Sequence, residues 1–235
     1  MTPATPDIPA AEIAIVEMTN AFRAENKLAD VRPNGQLQAA ARAFAAFLAK
    51  SGEFSHTADG HQPGDRVTGA GYQWCQVGEN LALHVDSRGF ESRDLARKSV
   101  EGWINSPAHR ENMLAPHVTE IGVAIAKAAD KDPKYISVEV FARPRSLQYE
   151  FQISNTSKES VSYSFGGETH EVAPSFAVTH TACSPGTLSF DRIGRGSRAR
   201  SISARYEASD GLVYTLKSDQ ASGLKVEIVP FEKAK

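Results

Sequence analysis

Helical periodicity stops at one place in this chain. Up to the segment "RPRS", Arg143 to Ser146, long stretches carry apolar residues at helical spacing, and beyond it only short strand-like runs remain, separated by Gly, Pro, Ser and Asp. A single layer pattern does not accommodate both habits. The 235 residues therefore predict two domains, 10–144 and 145–235.

In the first domain, Ile13, Val16, Met18 and Phe22 recur near helical spacing from Ala10 to about Asn26, and Leu37, Ala41, Phe44 and Leu48 share a face of a second helix. "RPNG", Arg32 to Gly35, marks a turn between them. A third helix is expected from Ser92, which can cap it, to Trp103, with Ala96 and Val100 on the same face, and Pro107 interrupts it. "EIGVAIAKA" and "YISVEVFA" alternate in the manner of strands. Past Ser146, "LQYEFQIS", "SVSYSFGG", "SFAVTH", "SISARYEA", "LVYTL" and "LKVEIV" give strands at the spacing of a small sandwich or barrel.

Composition removes several classes. A net charge of −2 sets up no field that would draw the chain to nucleic acid. No apolar run approaches the roughly 18 residues of a transmembrane helix. "DRIGRGSRARSISAR" gathers five arginines, yet from Ser146 onward ten basic residues face ten acidic ones, so the segment reads as a solvated strand and turn. The start "MTPATPDIPAAEIAIVEM" has neither basic nor apolar leader regions, which fits a cytoplasmic protein or an exported one whose signal peptide is absent from this chain. Cys75 and Cys183 are too few for a disulfide scaffold and are expected to be free buried thiols rather than one long-range bridge.

Four segments are unusual for ordinary helix or loop: "FSHTADGHQPGDR", "GYQWCQVGENLA", "GWINSPAHRENML" and "TEIGV". In order, together with "TNAFRAENKL", they resemble the bacterial branch of the CAP superfamily, the domain shared by cysteine-rich secretory proteins, antigen 5 and plant pathogenesis-related proteins. The resemblance covers Ile13 to Pro144. It implies an α+β fold, an α-β-α sandwich with a surface cleft, followed here by the small all-β domain, and an exported protein, secreted or periplasmic.

The family's cleft carries two histidines and two acids. Matched by motif, this sequence supplies His56 of "FSH", Glu79 of "GEN" and His109 of "SPAHR", while the fourth position falls on Ser106. Glu111 and Glu120 are further oxygen donors off the motif. Two neutral imidazoles and a carboxylate suit Zn²⁺ or another divalent metal with an open position for water. The same three residues can instead pin loops together, Glu79 accepting from His56 and His109. Ser106 with His109 and Glu79 has the residue types of a nucleophilic triad, although without a strained Gly-x-Ser-x-Gly elbow it reads first as a turn cap.

The remaining motif residues read as structural. Asn20 and Asn80 are expected to bond backbone, Arg23 and Arg110 to make ion pairs, and Trp74 and Trp103 to sit in the core. His61 and Asp65 lie in a turn where Pro63 opens a short helix, and His84 and His117 are expected near the cleft rim. His170 and His180, in the second domain, have no partner that the sequence names. Three functions follow: a binding module for an extracellular lipid, sterol, glycan or protein ligand, a metal-assisted or serine hydrolase, or a structural interaction scaffold.

Overall fold

In the computed structural model, which describes residues 2–193, 200–219 and 223–231, the chain divides into two units, Met1–Ser146 and Leu147–Lys235. The first runs α1 (Ile8–Glu25), β1 (Arg32–Pro33), α2 (Gly35–Ser51), α3 (Pro63–Gly69), β2 (Trp74–Val85), α4 (Ser92–Ile104), α5 (Pro107–Met113), β3 (Glu120–Ala128) and β4 (Lys134–Pro144). Its sheet has the order β1-β3-β4-β2, with β1 parallel to β3 and the other pairs antiparallel. Among the described residues no helix is long and apolar enough to cross a membrane.

Alternating large and small residues along β3 explain the layering. Ile121, Val123 and Ile125 join α1, α4 and Trp103 in a core on one face of the sheet. On the other face Ala124 and Ala126 receive α2, whose Leu37, Ala41, Phe44 and Leu48 are all buried. Burying each large side chain of that stripe stabilises the fold by roughly 1.5–3 kcal/mol. Gly122 lets the helix sit on the strand, because a Cβ there would lie 2.2 Å from the Leu37 carbonyl carbon.

Local signals set the helix ends. Asp7 Oδ1 accepts from Ala10 N at the start of α1, and Asn34 Oδ1 accepts from Gln36 N and Leu37 N at the start of α2. Gly52 ends α2 at φ 75°, a left-handed C-cap. Two expectations are corrected. Ile13 is 61% exposed, and the buried stripe of α1 runs through Ala11, Ala14, Ile15, Thr19 and Phe22, mostly small residues that gave weak apolar signals. Ser92 does not cap α4; its Oγ accepts from Asp7 N and Glu91 holds the N-cap position.

The second unit is all β: β5 (Tyr149–Asn155), β6 (Val161–Phe165), β7 (Glu168–Val172), β8 (Ala177–Ala182), β9 (Thr187–Ile193), β10 (Arg200–Glu207), β11 (Leu212–Asp219) and β12 (Gly223–Pro230). Two four-stranded sheets, β10-β9-β6-β7 and β12-β11-β5-β8, share a core that includes Phe151, Tyr163, Phe190 and Tyr214. The sequence reading lacked β7 and β9, the former because "ETHEV" offers one buried apolar residue at a sheet edge. Arg195 and Arg198 of the arginine-rich segment lie outside the described residues, as do the side chains of Arg192 and Arg200.

Cys75 and Cys183 are both disulfide-bonded, which corrects the free-thiol expectation.

Candidate functional site

Each residue of the "GEN" segment on β2 has a separate geometric task. Gly78 makes room for α5, since a Cβ there would come within 2.8 Å of Asn112 Oδ1. Glu79 points into the protein, its side chain 1% exposed. Asn80 is fully buried and donates from Nδ2 to the His109 carbonyl and to Glu139 Oε2, both at 3.1 Å.

The buried Glu79 carboxylate is answered by Arg66, a residue the sequence reading did not single out. Arg66 Nη2 donates to Oε1 at 2.9 Å and to Oε2 at 2.8 Å, and His56 Nδ1 lies 2.8 Å from Oε1. A bond to a carboxylate places a proton on His56 Nδ1 and leaves Nε2 for the solvent side, where the ring is 47% exposed. Arg66 also donates to Asp59 Oδ1 and to the carbonyls of His56 and His61. Its guanidinium carbon stands 3.5 Å from the centroid of the Phe44 ring. One cation on a short helix thus binds the loop that carries His56, the strand that carries Glu79 and the core of α2.

His109, on α5, is the second imidazole. Its ring centroid is 6.4 Å from that of His56, with the planes tilted by 52°. Burial, and then the neighbouring His56, hold its pKa below the ordinary histidine value. Glu79 takes no hydrogen bond from His109, contrary to expectation, because Arg66 and His56 already occupy its oxygens. Among the described residues the His109 ring has no hydrogen-bond partner.

The other candidate residues are placed elsewhere. Ser106 occupies the N-cap position of α5 with no side-chain capping bond, so neither the cap nor a Ser106–His109 hydrogen bond is present. Glu120 is used by Tyr72, whose hydroxyl donates to Oε2, and by Asn34, which donates to Oε1. Glu111 lines a hollow of about 580 Å³ with Gln76, Arg110 and Asn112. Among the described residues no group of three His, Cys, Asp or Glu side chains could hold a metal. The donor set does not fit the zinc centre that the motif residues suggest, since its carboxylate is committed to a guanidinium.

A buried polar network lies behind the pair. Thr19 Oγ1 donates to Glu139 Oε1 at 2.7 Å, and Asn112 Nδ2 donates to Asn80 Oδ1 and to the Glu79 carbonyl. Complete burial pushes the Glu139 carboxyl up to about 7. Arg23 is buried and donates to the carbonyls of Ala29, Met113 and Ala115, so its expected ion pair is replaced by carbonyl contacts. Arg110 stands 5.2 Å from the Phe22 ring, a cation over an aromatic face. Asn20 bonds the Val31 backbone in both directions, as expected. Trp103 is in the core, whereas Trp74 is 37% exposed and lies across Gly64 of α3. His84 faces Ser99 Oγ, and Asp65 Oδ2 accepts from Gln62 N at the start of α3.

This fold and motif set define an α-β-α sandwich domain with a histidine pair beside a buried acid. Residues 16–141 match the Cysteine-rich secretory protein family, CAP, and the chain belongs to that family. Its relative "Uncharacterized protein YkwD" from Bacillus subtilis (strain 168) is 29% identical over 128 residues, 54% of this chain and 47% of the relative. The chain thus spans about half the length of that relative. An outer surface protein from Borrelia burgdorferi has a similar fold, with a TM-score of 0.50 and 21% identity over 57% of this chain and 93% of that one. An extracellular protein containing a SCP domain from Bacillus anthracis str. Ames matches with a TM-score of 0.48 and 26% identity, over 61% of this chain and 45% of that one.

Proposed function

We propose that this chain is an exported binding module whose first unit presents His56 and His109 to a ligand outside the cytoplasm, a lipid, sterol or envelope glycan. The observation that carries this reading is the commitment of both Glu79 oxygens. With the carboxylate held by Arg66 and His56, the site offers solvent two imidazoles on a rigid base, with no open carboxylate and no activated serine. Such a pair can donate to a hydroxyl, phosphate or carbonyl oxygen, or accept from a hydroxyl, while doing no chemistry on it. Export is supported by the membership of a secretory family and by the outer-surface description of a protein with this fold.

The test is a titration of the full chain, isotopically labelled at histidine, with vesicles of neutral lipid, vesicles containing a sterol, and soluble envelope glycan fragments. Saturable shifts of the His56 and His109 ring signals with one of these, lost in His109→Ala, are expected. No shift with any of them would remove the reading. A scaffold role is the second reading, favoured by the interlocking of Arg66 with Glu79, Asp59 and two carbonyls. It predicts that His56→Ala and Glu79→Ala lower the melting temperature and leave all binding unchanged.

A further inference from the structure

The second unit holds a histidine pair of its own, at the seam between its two sheets. His170 is on β7, the last strand of one sheet, and His180 is on β8, the last strand of the other. Their ring centroids are 5.0 Å apart with planes at 72°. His180 lies flat on Phe151 of β5, at 5.1 Å and 16°, and meets the rings of Tyr163 and Phe165 of β6. His170 lies flat on Tyr163, at 5.2 Å and 26°. Tyr163 also joins them chemically, since its hydroxyl is 2.8 Å from His180 Nε2.

From this cluster we propose that His170 and His180 form a proton-operated latch between β7 and β8, closed while the pair carries at most one proton and loosened when both rings are charged. Two imidazolium rings at this separation repel each other in surroundings made mainly of aromatic carbon, where the interaction is weakly screened. Protonating His180 at Nε2 also turns the Tyr163 bond around. Where the neutral ring carries its proton on Nδ1, the hydroxyl donates to Nε2; once Nε2 is protonated the hydroxyl must accept, and its own proton needs a new partner.

Among the described residues, the charged groups on the strands around the pair are few. On β7, Glu168 Oε2 is 4.0 Å from His170 Nε2, and Glu171 stands opposite Ser162 of β6. On β5, Glu150 stands opposite Thr181, the residue after His180. Apart from His180 itself, β8 carries no charged or titratable residue, and β6 contributes only Tyr163. Glu168 can soften a charge on His170, but no carboxylate among the described residues touches His180. Burial, then His170, hold the His180 pKa below the ordinary value, in keeping with the latch being closed at neutral pH.

The experiment uses the full chain with labelled histidine rings, titrated from about pH 8.5 to pH 4.5 and followed by NMR, together with amide exchange of residues 161–182 corrected for intrinsic rates. His180 is expected to titrate below the unperturbed midpoint of about 6.5, and exchange in β7 and β8 to quicken at least tenfold between pH 7 and pH 5. His170→Gln should raise the His180 midpoint and remove most of the acid-induced exchange. His170→Lys, a permanent charge at the same place, should lower the midpoint further and quicken exchange already at pH 7. A His180 midpoint at or above 6.5, which a cation held on the Phe151 face would produce, overturns the proposal. So does a midpoint indifferent to His170→Gln, or the same acid opening in that variant. His170 is the position varied because its side chain is partly exposed, so these replacements spare the core.

Discussion

Arg66 Nη2 reaches both carboxylate oxygens of Glu79, at 2.9 and 2.8 Å, so the acid of the "GEN" segment faces a guanidinium inside the protein. Removing one member leaves the other as an uncompensated buried charge, which costs about 3–5 kcal/mol. Arg66→Met is expected to lose that much in urea denaturation. Arg66→Met with Glu79→Gln should recover a substantial part, and a double variant no more stable than Arg66→Met would contradict the pairing.

The two histidines should separate cleanly in stability. His56 holds a bond to the buried carboxylate, so His56→Ala should cost about 1.5–3 kcal/mol, the range for a hydrogen bond to a charged group. His109 makes no ring hydrogen bond among the described residues, so His109→Ala should cost under about 1 kcal/mol. Equal losses in denaturation midpoint would show that His109 has a structural bond after all.

Zinc should find no tight site beside these histidines. Stoichiometric Zn²⁺ is expected to leave the melting temperature within about a degree of its starting value, because stabilisation by a ligand requires tight binding to the native state. A calorimetric titration giving one strong site that disappears in His56→Ala would overturn this.

Glu139 carries a pH signature of unusual sign. Its folded pKa of about 7 lies above the unfolded value near 4.5, so the native state binds more protons between them. Stability should therefore fall as pH rises through that window, by on the order of 3 kcal/mol from this group. Glu139→Gln should flatten the dependence between about pH 4.5 and pH 7, measured as the difference in denaturation midpoint between variant and parent. An unchanged pH profile would mean that Glu139 is ionised throughout.

Gly122→Ala tests the seating of α2 on β3. The added methyl would meet the Leu37 backbone at 2.2 Å, and backbone cannot yield as a flexible side chain can. A loss of about 1–3 kcal/mol or more is expected, the usual cost of overpacking. Unchanged thermal unfolding would show that the helix can lift.

What the sequence disclosed depended on how each element announces itself. The α2 stripe was legible because Leu37, Phe44 and Leu48 are large and Ala41 completes their spacing. The buried face of α1 was displaced toward Ile13, since the residues that face the core are mostly Ala and Thr. β2 carried no readable alternation because its middle is spent on Gly78, Glu79 and Asn80, residues occupied by the site. His56, Glu79 and His109 could be matched by motif, but their geometry could not. Arg66 was missed although a signal existed: Pro63 starts a short helix, and a cation in it is suited to a buried acid elsewhere in the same motif set.

Along β2, the last strand of its sheet, the Glu79 carbonyl accepts from Asn112 Nδ2 and the Leu81 carbonyl from Trp103 Nε1. An outermost strand with open carbonyls is a template on which another copy can align and grow. Here two side chains from α4 and α5 occupy those positions, so the middle of this edge is closed to a second strand in part by the same asparagine that fits against Gly78. A replacement such as Asn112→Ala would then be felt first as aggregation at high concentration, before any change in what the histidines bind.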